Sequence, residues 1–269
     1  MAARVAVIVP VREPAPFLDE ALAGLGDDVA VVVVRDPDGR GPAWARNQGL
    51  AGLGEAVEWV GFCDADDVWR PGKLSAQLRA ASSVDVVVGG AEIAGEDGVP
   101  TGEVWERPEF SMEALYSANP VLLSSVIVRR SVLSSVGGFA EDLPQAEDWD
   151  LWLRLLASGA RFVSVPSARV MYRRHPGGLT RDVAALARAQ IEVHRRHASA
   201  VPPAVAAAAL AADHVALAEG LYRRRSWRAG RMALREGIRL GPVARSARIR
   251  GLVAAVPLLR SVLGRRPPY

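Results

Sequence analysis

Short unbroken apolar runs, separated by turn residues, fill the first part of the chain, and long alanine- and arginine-rich stretches follow. Arg4–Val9 and Val29–Val34 are near-continuous aliphatic runs, a pattern that predicts strands buried on both faces, as in a parallel α/β sheet. Between them Phe17, Ala21, Leu22 and Leu25 recur at helical spacing, and Ala43 to Leu53 predicts a second short helix. Glu58–Cys63 (EWVGFC) predicts a third strand that runs directly into acids. Pro71 opens a helix with Leu74, Leu78 and Ala81 on one face, since proline suits a first turn. Val84–Val88 and Val121–Val128 predict two more strands, and RFVSV (161–165) is a further strand-like run. This alternation predicts a layered α/β domain over residues 1–182. After Asp182 no strand-like run appears. Val205–Arg223 and Trp227–Leu240 predict a helical hairpin, with Ser226 as N-cap, within an α-helical extension over residues 183–269.

Composition changes this picture little. A chain of 269 residues, 50% hydrophobic, can bury a full core in one large domain or one domain plus an appendage. The lone cysteine, Cys63, rules out an internal disulfide and suits a reducing, cytoplasmic compartment. The first residues, MAARVAVIVPVRE, carry no small-residue cleavage site and read as a strand, not a signal peptide. No run of 18 apolar residues occurs, so no membrane span is expected.

Charge is unevenly placed. Residues 241–269 hold six arginines and no acid, while the whole chain is +3, so residues 1–240 sum to −3, the difference of +3 and +6. Such a tail suggests an anionic partner such as a membrane surface, and so a peripheral position at the inner face of the plasma membrane. No nucleic-acid-binding motif is present, and the aromatics do not interleave with the basic runs.

Three constellations could carry chemistry. DADD, Asp64 to Asp67, ends an apolar strand, where open α/β sheets bind ligands. Clustered carboxylates repel one another unless a cation or solvent intervenes, and hard oxygens suit Mg²⁺ or Mn²⁺. The plainer reading is a solvated turn, with Asp67 capping the next helix. AEDWDLWLRL, residues 146–155, puts Trp149, Trp152, Leu153 and Leu156 on one helical face and Glu147 and Asp148 at the helix N-terminus. Those acids are either dipole-favoured first-turn residues or a general base aimed into a cleft. VMYRRHPGGLT, residues 170–180, offers His175 as a metal ligand and Arg173 or Arg174 for phosphate. The plainer alternative is a solvated histidine. Neither GxGxxG nor GxxxxGK[ST] is present. Cys63, in an apolar strand beside carboxylates, reads as core.

In order and spacing these segments resemble the family-2 glycosyltransferases of the GT-A fold. VAVIVPVRE resembles that family's first strand and nucleotide loop, GPAWARNQGL the helix before its metal site, and FCDADDVWRPGKL its DXD motif. SSVIVRRSVLSSVGGF with AEDWDLWLRL resembles its acceptor-side segment and ED base motif, and YRRHPGGLT its closing loop. The resemblance covers residues 4–180. It implies a GT-A Rossmann-like sheet flanked by helices, and inverting transfer of a sugar from a nucleoside-diphosphate sugar to an acceptor hydroxyl on a glycan, a lipid-linked carrier or a small molecule. Polysaccharide or other glycoconjugate synthesis is the implied setting.

Residue by residue, the resemblance implies that Pro10, Val11 and Glu13 line the nucleotide pocket on a loop, that Asp36 faces the base, and that Arg46 lies near the nucleotide-sugar. It places Asp64 by the ribose and sugar, Asp66 and His175 on Mn²⁺ or Mg²⁺, and Asp148 as catalytic base with Glu147 orienting nearby groups. One departure stands out. Where the family has DDGSxDxT followed by a helix and a strand, this chain has only RDPDG before the ARN helix. Two rivals share part of the pattern: a sugar-phosphate nucleotidyltransferase, whose Gly-rich first loop is missing, and a degenerate family member that binds sugar nucleotide or partners without catalysis.

Overall fold

Strand β1 (Val5–Val11) is the first buried element, and β2 (Ala30–Arg35) and β3 (Trp59–Phe62) pair parallel to it on either side. Helices α1 (Leu18–Ala23) and α2 (Pro42–Ala51) make the two crossovers. From there the sheet turns mixed rather than parallel: β7 (Val126–Arg129) runs antiparallel between β3 and β5 (Val86–Ala94). Strand β8 (Phe162–Arg173) lies parallel to β5 on one side and antiparallel to the two-residue β4 (Val68–Trp69) on the other. Strand β6 (Pro100–Trp105) hairpins onto β5, giving an eight-stranded sheet in the order β2-β1-β3-β7-β5-β8-β4. This computed structural model describes residues 4–105, 110–178 and 181–241. The chain divides into two compact units, Met1–Gly178 and Leu179–Tyr269.

Three local expectations are corrected. Strand β2 was expected to be buried on both faces, yet among the described residues it pairs only with β1. Val31 and Val33 are about two-fifths exposed while Val32 and Val34 are half-buried, so one face of β2 is open. Helix α3 (Lys73–Ala80) buries Lys73 and Gln77 and leaves Leu78 exposed. Polar anchoring rotates it: the Gln77 amide donates to Val87 O (2.9 Å) and Ser125 O (2.8 Å), and Lys73 Nζ donates to Gln77 while lying 3.5 Å from the centre of the Trp69 ring. Burial drives the Lys73 amine well below its usual pKa. The run Val121–Val128 becomes a strand only from Val126, because a 3-10 turn over Leu123–Ser125 precedes it and buries two serines.

Strand β8 fits against β5 through a register shift between Gly89 and Ala91. A Cβ on Gly89 would stand 2.0 Å from Ala168 O and 3.0 Å from Ser125 O, so only glycine passes there.

The second unit is helical. Helix α7 (Val183–His197) starts at Asp182, whose carboxylate accepts from Ala185 N at 3.1 Å. Helices α8 (Pro203–Arg223) and α9 (Trp227–Leu240) follow. Ser226 stands at the N-cap position of α9 but makes no side-chain capping bond. By length and composition α8 could cross a membrane, a feature the search for unbroken apolar runs misses. It nevertheless carries Asp213 and His214, both buried, and Asp213 meets His194 Nδ1 of α7 at 2.5 Å. Gly230 and Gly237 let α9 pack closely on α8, since Cβ atoms there would come within 2.4 Å of the Tyr222 ring and 2.9 Å of Ala211 O. The basic segment 242–269, expected to contact a membrane, lies outside the described residues.

Gly89→Ala is expected to lower stability by about 2–3 kcal/mol, as overpacking against backbone does. Denaturant unfolding of the variant against the parent checks this, and an unchanged midpoint would contradict the packing of β8 described above.

Candidate active site

The parallel half of the sheet delivers its carboxyl ends to one rim. Strand β3 stops where Cys63 N donates to Ile8 O (3.1 Å), and the chain enters a tight turn in which Asp67 N donates to Asp64 O (3.0 Å). The acids of this turn do not share one environment. Asp64 accepts a 2.6 Å bond from Arg46 Nη2, and its backbone N–H donates to Ser124 Oγ (3.0 Å). Asp66 Oδ2 lies 2.8 Å from His175 Nε2. Asp67 is fully buried and accepts from Arg173 N at 3.1 Å. Burial, with the charges of Asp66 and Asp64, pushes its carboxyl well above the usual range. Asp67 therefore anchors the turn from inside and caps no helix; the residue before α3 is Gly72. Asp64 and Asp66 remain about one-third exposed and available to a ligand. Cys63 is buried, with its thiol pushed well up by burial and then by Asp67 and Asp64, as befits a core residue.

Arg46 joins this turn to the other half of the site. It projects from α2, is 4% exposed, and holds Asp64 with one guanidinium nitrogen and Glu147 with another. Phe139 lies under the guanidinium, 5.5 Å away. Burial opposes the charge on Arg46, but Asp64 and Glu147 outweigh it and raise its pKa. The next residue, Asn47, binds the Phe139 backbone in both directions, accepting from Phe139 N and donating to Phe139 O, each at 2.9 Å. Gly138 (φ 72°) makes room, since a Cβ there would meet Asn47 Oδ1 at 2.6 Å. Arg46 and Asn47 thus fasten α2 to the segment that leads into α6.

Two short helices, α4 (Met112–Ser117) and α5 (Arg130–Ser135), precede α6 (Glu147–Ala157), which begins after Ala146, a non-glycine residue in the left-handed region at φ 59°. Such a backbone costs roughly 1–2 kcal/mol and is found where surrounding contacts impose it. Glu147 is buried against Arg46, while Asp148, the next residue, is half-buried. Asp148 Oδ1 accepts from Trp149 N (2.7 Å), an amide of the first helical turn, and Oδ2 accepts from Asn119 Nδ2 (3.1 Å). Burial and the neighbouring Glu147 raise the Asp148 carboxyl to about 7, against the lowering pull of Arg46 and the two hydrogen bonds. A carboxyl poised there can take up a proton near neutral pH. Of the expected inward face, Trp149, Trp152 and Leu153 are buried and Leu156 only half so. Leu151 and Leu155 are buried as well, so α6 is enclosed on most sides.

The remaining expected residues are placed differently. Pro10 and Val11 belong to β1 rather than to a loop, and the Val11 side chain is 1% exposed. The missing N–H of Pro10 breaks no ladder bond, because β3 pairing has ended at Ile8. Glu13 is exposed on the following loop, paired with Arg35 and accepting from Ala15 N at 3.1 Å. Asp36 is buried and accepts from Arg40 N (2.9 Å) and Gly41 N (2.8 Å), so its carboxylate closes the short β2–α2 connection instead of standing open to a base. Arg173 is not free for phosphate: it binds Asp66 O, Glu96 O and Glu20, and packs over Phe17 at 4.4 Å. Arg174 pairs with Glu103. Asn119, Ser124 and Phe139 are site residues that the sequence patterns did not single out. Asn119 lies outside every segment quoted above, while Ser124 and Phe139 open and close SSVIVRRSVLSSVGGF without a residue type that marks them for a role.

Asp66 and His175, the residues expected to hold a divalent cation, meet each other at 2.8 Å. Among the described residues no cluster of three or more His, Cys, Asp or Glu could hold one alone. The pair still fits a hard cation, because Mg²⁺-type ions are often held by one or two protein groups with substrate phosphates and water completing the shell. His175 Nδ1 accepts from Gly177 N (3.3 Å), which assigns the ring proton to Nε2. Ligation through Nε2 requires that proton to move to Nδ1 and the Gly177 bond to be released.

Residues 1–188 match the family described as Glycosyltransferase like family 2. The pre-mycofactocin glycosyltransferase of Mycobacterium tuberculosis (strain CDC 1551 / Oshkosh) is 32% identical over 164 residues, 55% of this chain and 33% of that protein. An Escherichia coli UDP-Glc:alpha-D-GlcNAc-diphosphoundecaprenol beta-1,3-glucosyltransferase, WfaP, is 26% identical over 154 residues, 57% of this chain and 59% of that protein. The chain therefore spans 33% of the first relative's length and 59% of the second's. Among solved structures, the mannosyltransferase PcManGT from Pyrobaculum calidifontis, in complex with GDP-Man and Mn²⁺, superposes with a TM-score of 0.57 at 19% identity, covering 99% of this chain and 89% of that one. This likeness establishes the shared GT-A fold.

Arg46→Leu is expected to lower stability by about 3–5 kcal/mol, because it leaves Glu147 charged and buried without a partner. Adding Glu147→Gln should return much of that loss. Chemical denaturation of the single and double variants reads both effects, and an equally unstable double variant would contradict the pairing.

Proposed function

The chain belongs to the Glycosyltransferase like family 2, and from that membership we propose that it is an inverting, metal-assisted enzyme. It moves a sugar from a nucleoside-diphosphate sugar to an acceptor hydroxyl in cell-surface polysaccharide or other glycoconjugate synthesis. The observation that carries this reading is the placement of Asp148: a carboxyl raised to about 7, held by Asn119 and Trp149 N, and tied through Glu147 and Arg46 to the acid turn.

The chemistry follows from that placement. A sugar hydroxyl is a weak nucleophile at neutral pH, so its proton must leave as the new glycosidic bond forms. Asp148 accepts that proton. The bond from the anomeric carbon to the phosphate oxygen breaks, and its electron pair departs with the nucleoside diphosphate. Attack from the opposite face inverts the anomeric centre. Asp64 faces the sugar and ribose, while Asp66 and His175 are the residues that would hold Mn²⁺ or Mg²⁺. When bound, such a cation offsets the negative charge that grows on the leaving diphosphate. The GDP-Man and Mn²⁺ in PcManGT support the donor class and the metal, and the diphosphoundecaprenol acceptor named for WfaP supports a lipid-linked acceptor. A cytoplasmic site of action is part of the same proposal.

Asp148→Asn is expected to abolish transfer while leaving donor binding intact, since asparagine keeps the acceptor oxygen used by Trp149 N. Near-normal transfer by this variant removes Asp148 as the base. In the parent, the log of kcat/KM should fall with a slope of one as pH drops below about 7, where Asp148 takes up a proton and loses its capacity to accept another. A flat profile through that range contradicts the assignment. A thermal-shift panel of UDP, GDP, dTDP, CDP and ADP, with and without Mn²⁺, tests the donor side. One diphosphate should stabilise the protein only with metal, and Asp66→Ala should remove the effect. Stabilisation by none would favour the non-catalytic reading, which the short β2–α2 connection closed by Asp36 also favours.

A further inference from the structure

Helix α9 has two unlike faces. Gly230, Ala233, Leu234 and Gly237 are buried within the helical unit. The opposite face shows Arg228, Arg231 and Arg235 at successive helical turns, all exposed, with Met232 and Ile238 among them at 62% and 50% exposure. From Tyr222 to Gly241 the sequence holds seven arginines against a single acid, Glu236. Three of the seven have acidic partners: Arg223 with Glu219, Arg224 with Asp182, and Arg239 with Glu236. Arg228, Arg231 and Arg235 have no ion-pair partner among the described residues.

From this face we infer that α9 is a docking surface for an anionic lipid bilayer. Unpaired guanidiniums on one stripe match a field of lipid phosphates. The large apolar side chains that flank that stripe, Ile238 on one side and Met232 on the other, gain nothing from water, but they can enter the boundary between headgroups and acyl chains while the arginines stay at phosphate level. Charge alone would equally suit nucleic acid, and the apolar pair decides between them. A face for single-stranded nucleic acid offers aromatic platforms, and the phosphate contacts that hold a duplex give Met232 and Ile238 nothing to bury against. The one aromatic residue of α9, Trp227, is half-buried and packs 5.8 Å from Tyr222. The tight seating of α9 on α8, through Gly230 and Gly237, keeps the stripe rigid and presented. The inference does not rest on the transfer chemistry proposed above, and it concerns a different part of the chain.

Flotation of the full chain with vesicles tests it. The protein should float with vesicles of phosphatidylcholine mixed with phosphatidylglycerol and not with phosphatidylcholine alone, and added salt should weaken the association. Replacing the arginines (Arg228→Glu, Arg231→Glu, Arg235→Glu) should weaken binding at least about tenfold. The apolar pair Met232→Ser and Ile238→Ser should weaken it as well, and both variants should keep the parent's melting temperature because all five positions are exposed. Equal flotation with neutral vesicles, no flotation at all, or binding unchanged in the arginine variant overturns the inference. Sedimentation equilibrium and a duplex-DNA titration distinguish the other occupants. A dimer lost in the same variants gives the face to a second copy, and DNA capture without vesicle binding gives it to nucleic acid; either overturns the bilayer.

Discussion

The guanidinium of Arg46 is bonded to an acid from each of two segments far apart in sequence: Asp64, where β3 ends, and Glu147, where α6 begins. The bridge is nearly free of water at Arg46 and at its Glu147 end, while Asp64 stays about one-third exposed, and the Nε of Arg46 is buried with no partner among the described residues. A buried bridge of this kind adds little net stability, because the attraction between the charges is largely offset by the loss of their hydration. What it does fix is a relation. The turn that would meet a donor and the helix that carries Asp148 cannot shift independently while one guanidinium is fastened to both. Asn47, the next residue, reinforces the same joint through the Phe139 backbone.

Around that joint, three neighbouring aspartates have separate environments. Asp64 answers to Arg46, Asp66 to His175, and Asp67 to the Arg173 backbone. Mutual repulsion, the reason a cation is first suspected in such a cluster, is thus relieved by three different means. Only one of the three, the Asp66–His175 contact, lies where a metal could replace a proton. The other half of the site shows the same economy. Ala146 accepts an unfavourable backbone angle, and the two acids that follow it take opposite roles, Glu147 buried against a cation and Asp148 left half-open between two neutral donors.

Much of the fold is legible in the sequence because aliphatic runs in a layered α/β protein are long, local and bounded by turn residues. β1 and β3 emerge from such runs, and α2, α8 and α9 from the absence of strand-like runs and from their alanine- or arginine-rich stretches. The failures have physical causes. Helix α3 is positioned by the polar reach of Gln77 and Lys73, which a hydrophobic period cannot see. Strand β2 looks interior because its residues are aliphatic, but one of its faces is open, and what covers a face is set by topology. At the site, the acids and His175 are visible because their residue types and spacing are unusual. Asn119 and Ser124 are ordinary polar residues in loops, and only three-dimensional proximity to Asp148 and Asp64 gives them a role. Arg173 misleads in the other direction: a loop arginine near glycines reads as a phosphate binder, yet its donors bind backbone carbonyls and Glu20.

The position of β8 has a consequence for how the protein comes into being. This strand is the last of the sheet to be synthesised, yet it lies inside it, between β5 and β4. The turn bearing Asp64 to Asp67 leaves the ribosome long before Arg173, whose backbone N–H anchors Asp67, and before β8, the strand that pairs with β4. During translation the acid turn is therefore made early and held late. A growing chain has β1, β2 and β3 complete while the side of β5 that takes β8 still waits for its strand, and that edge stays without its partner while residues 95–161 are made.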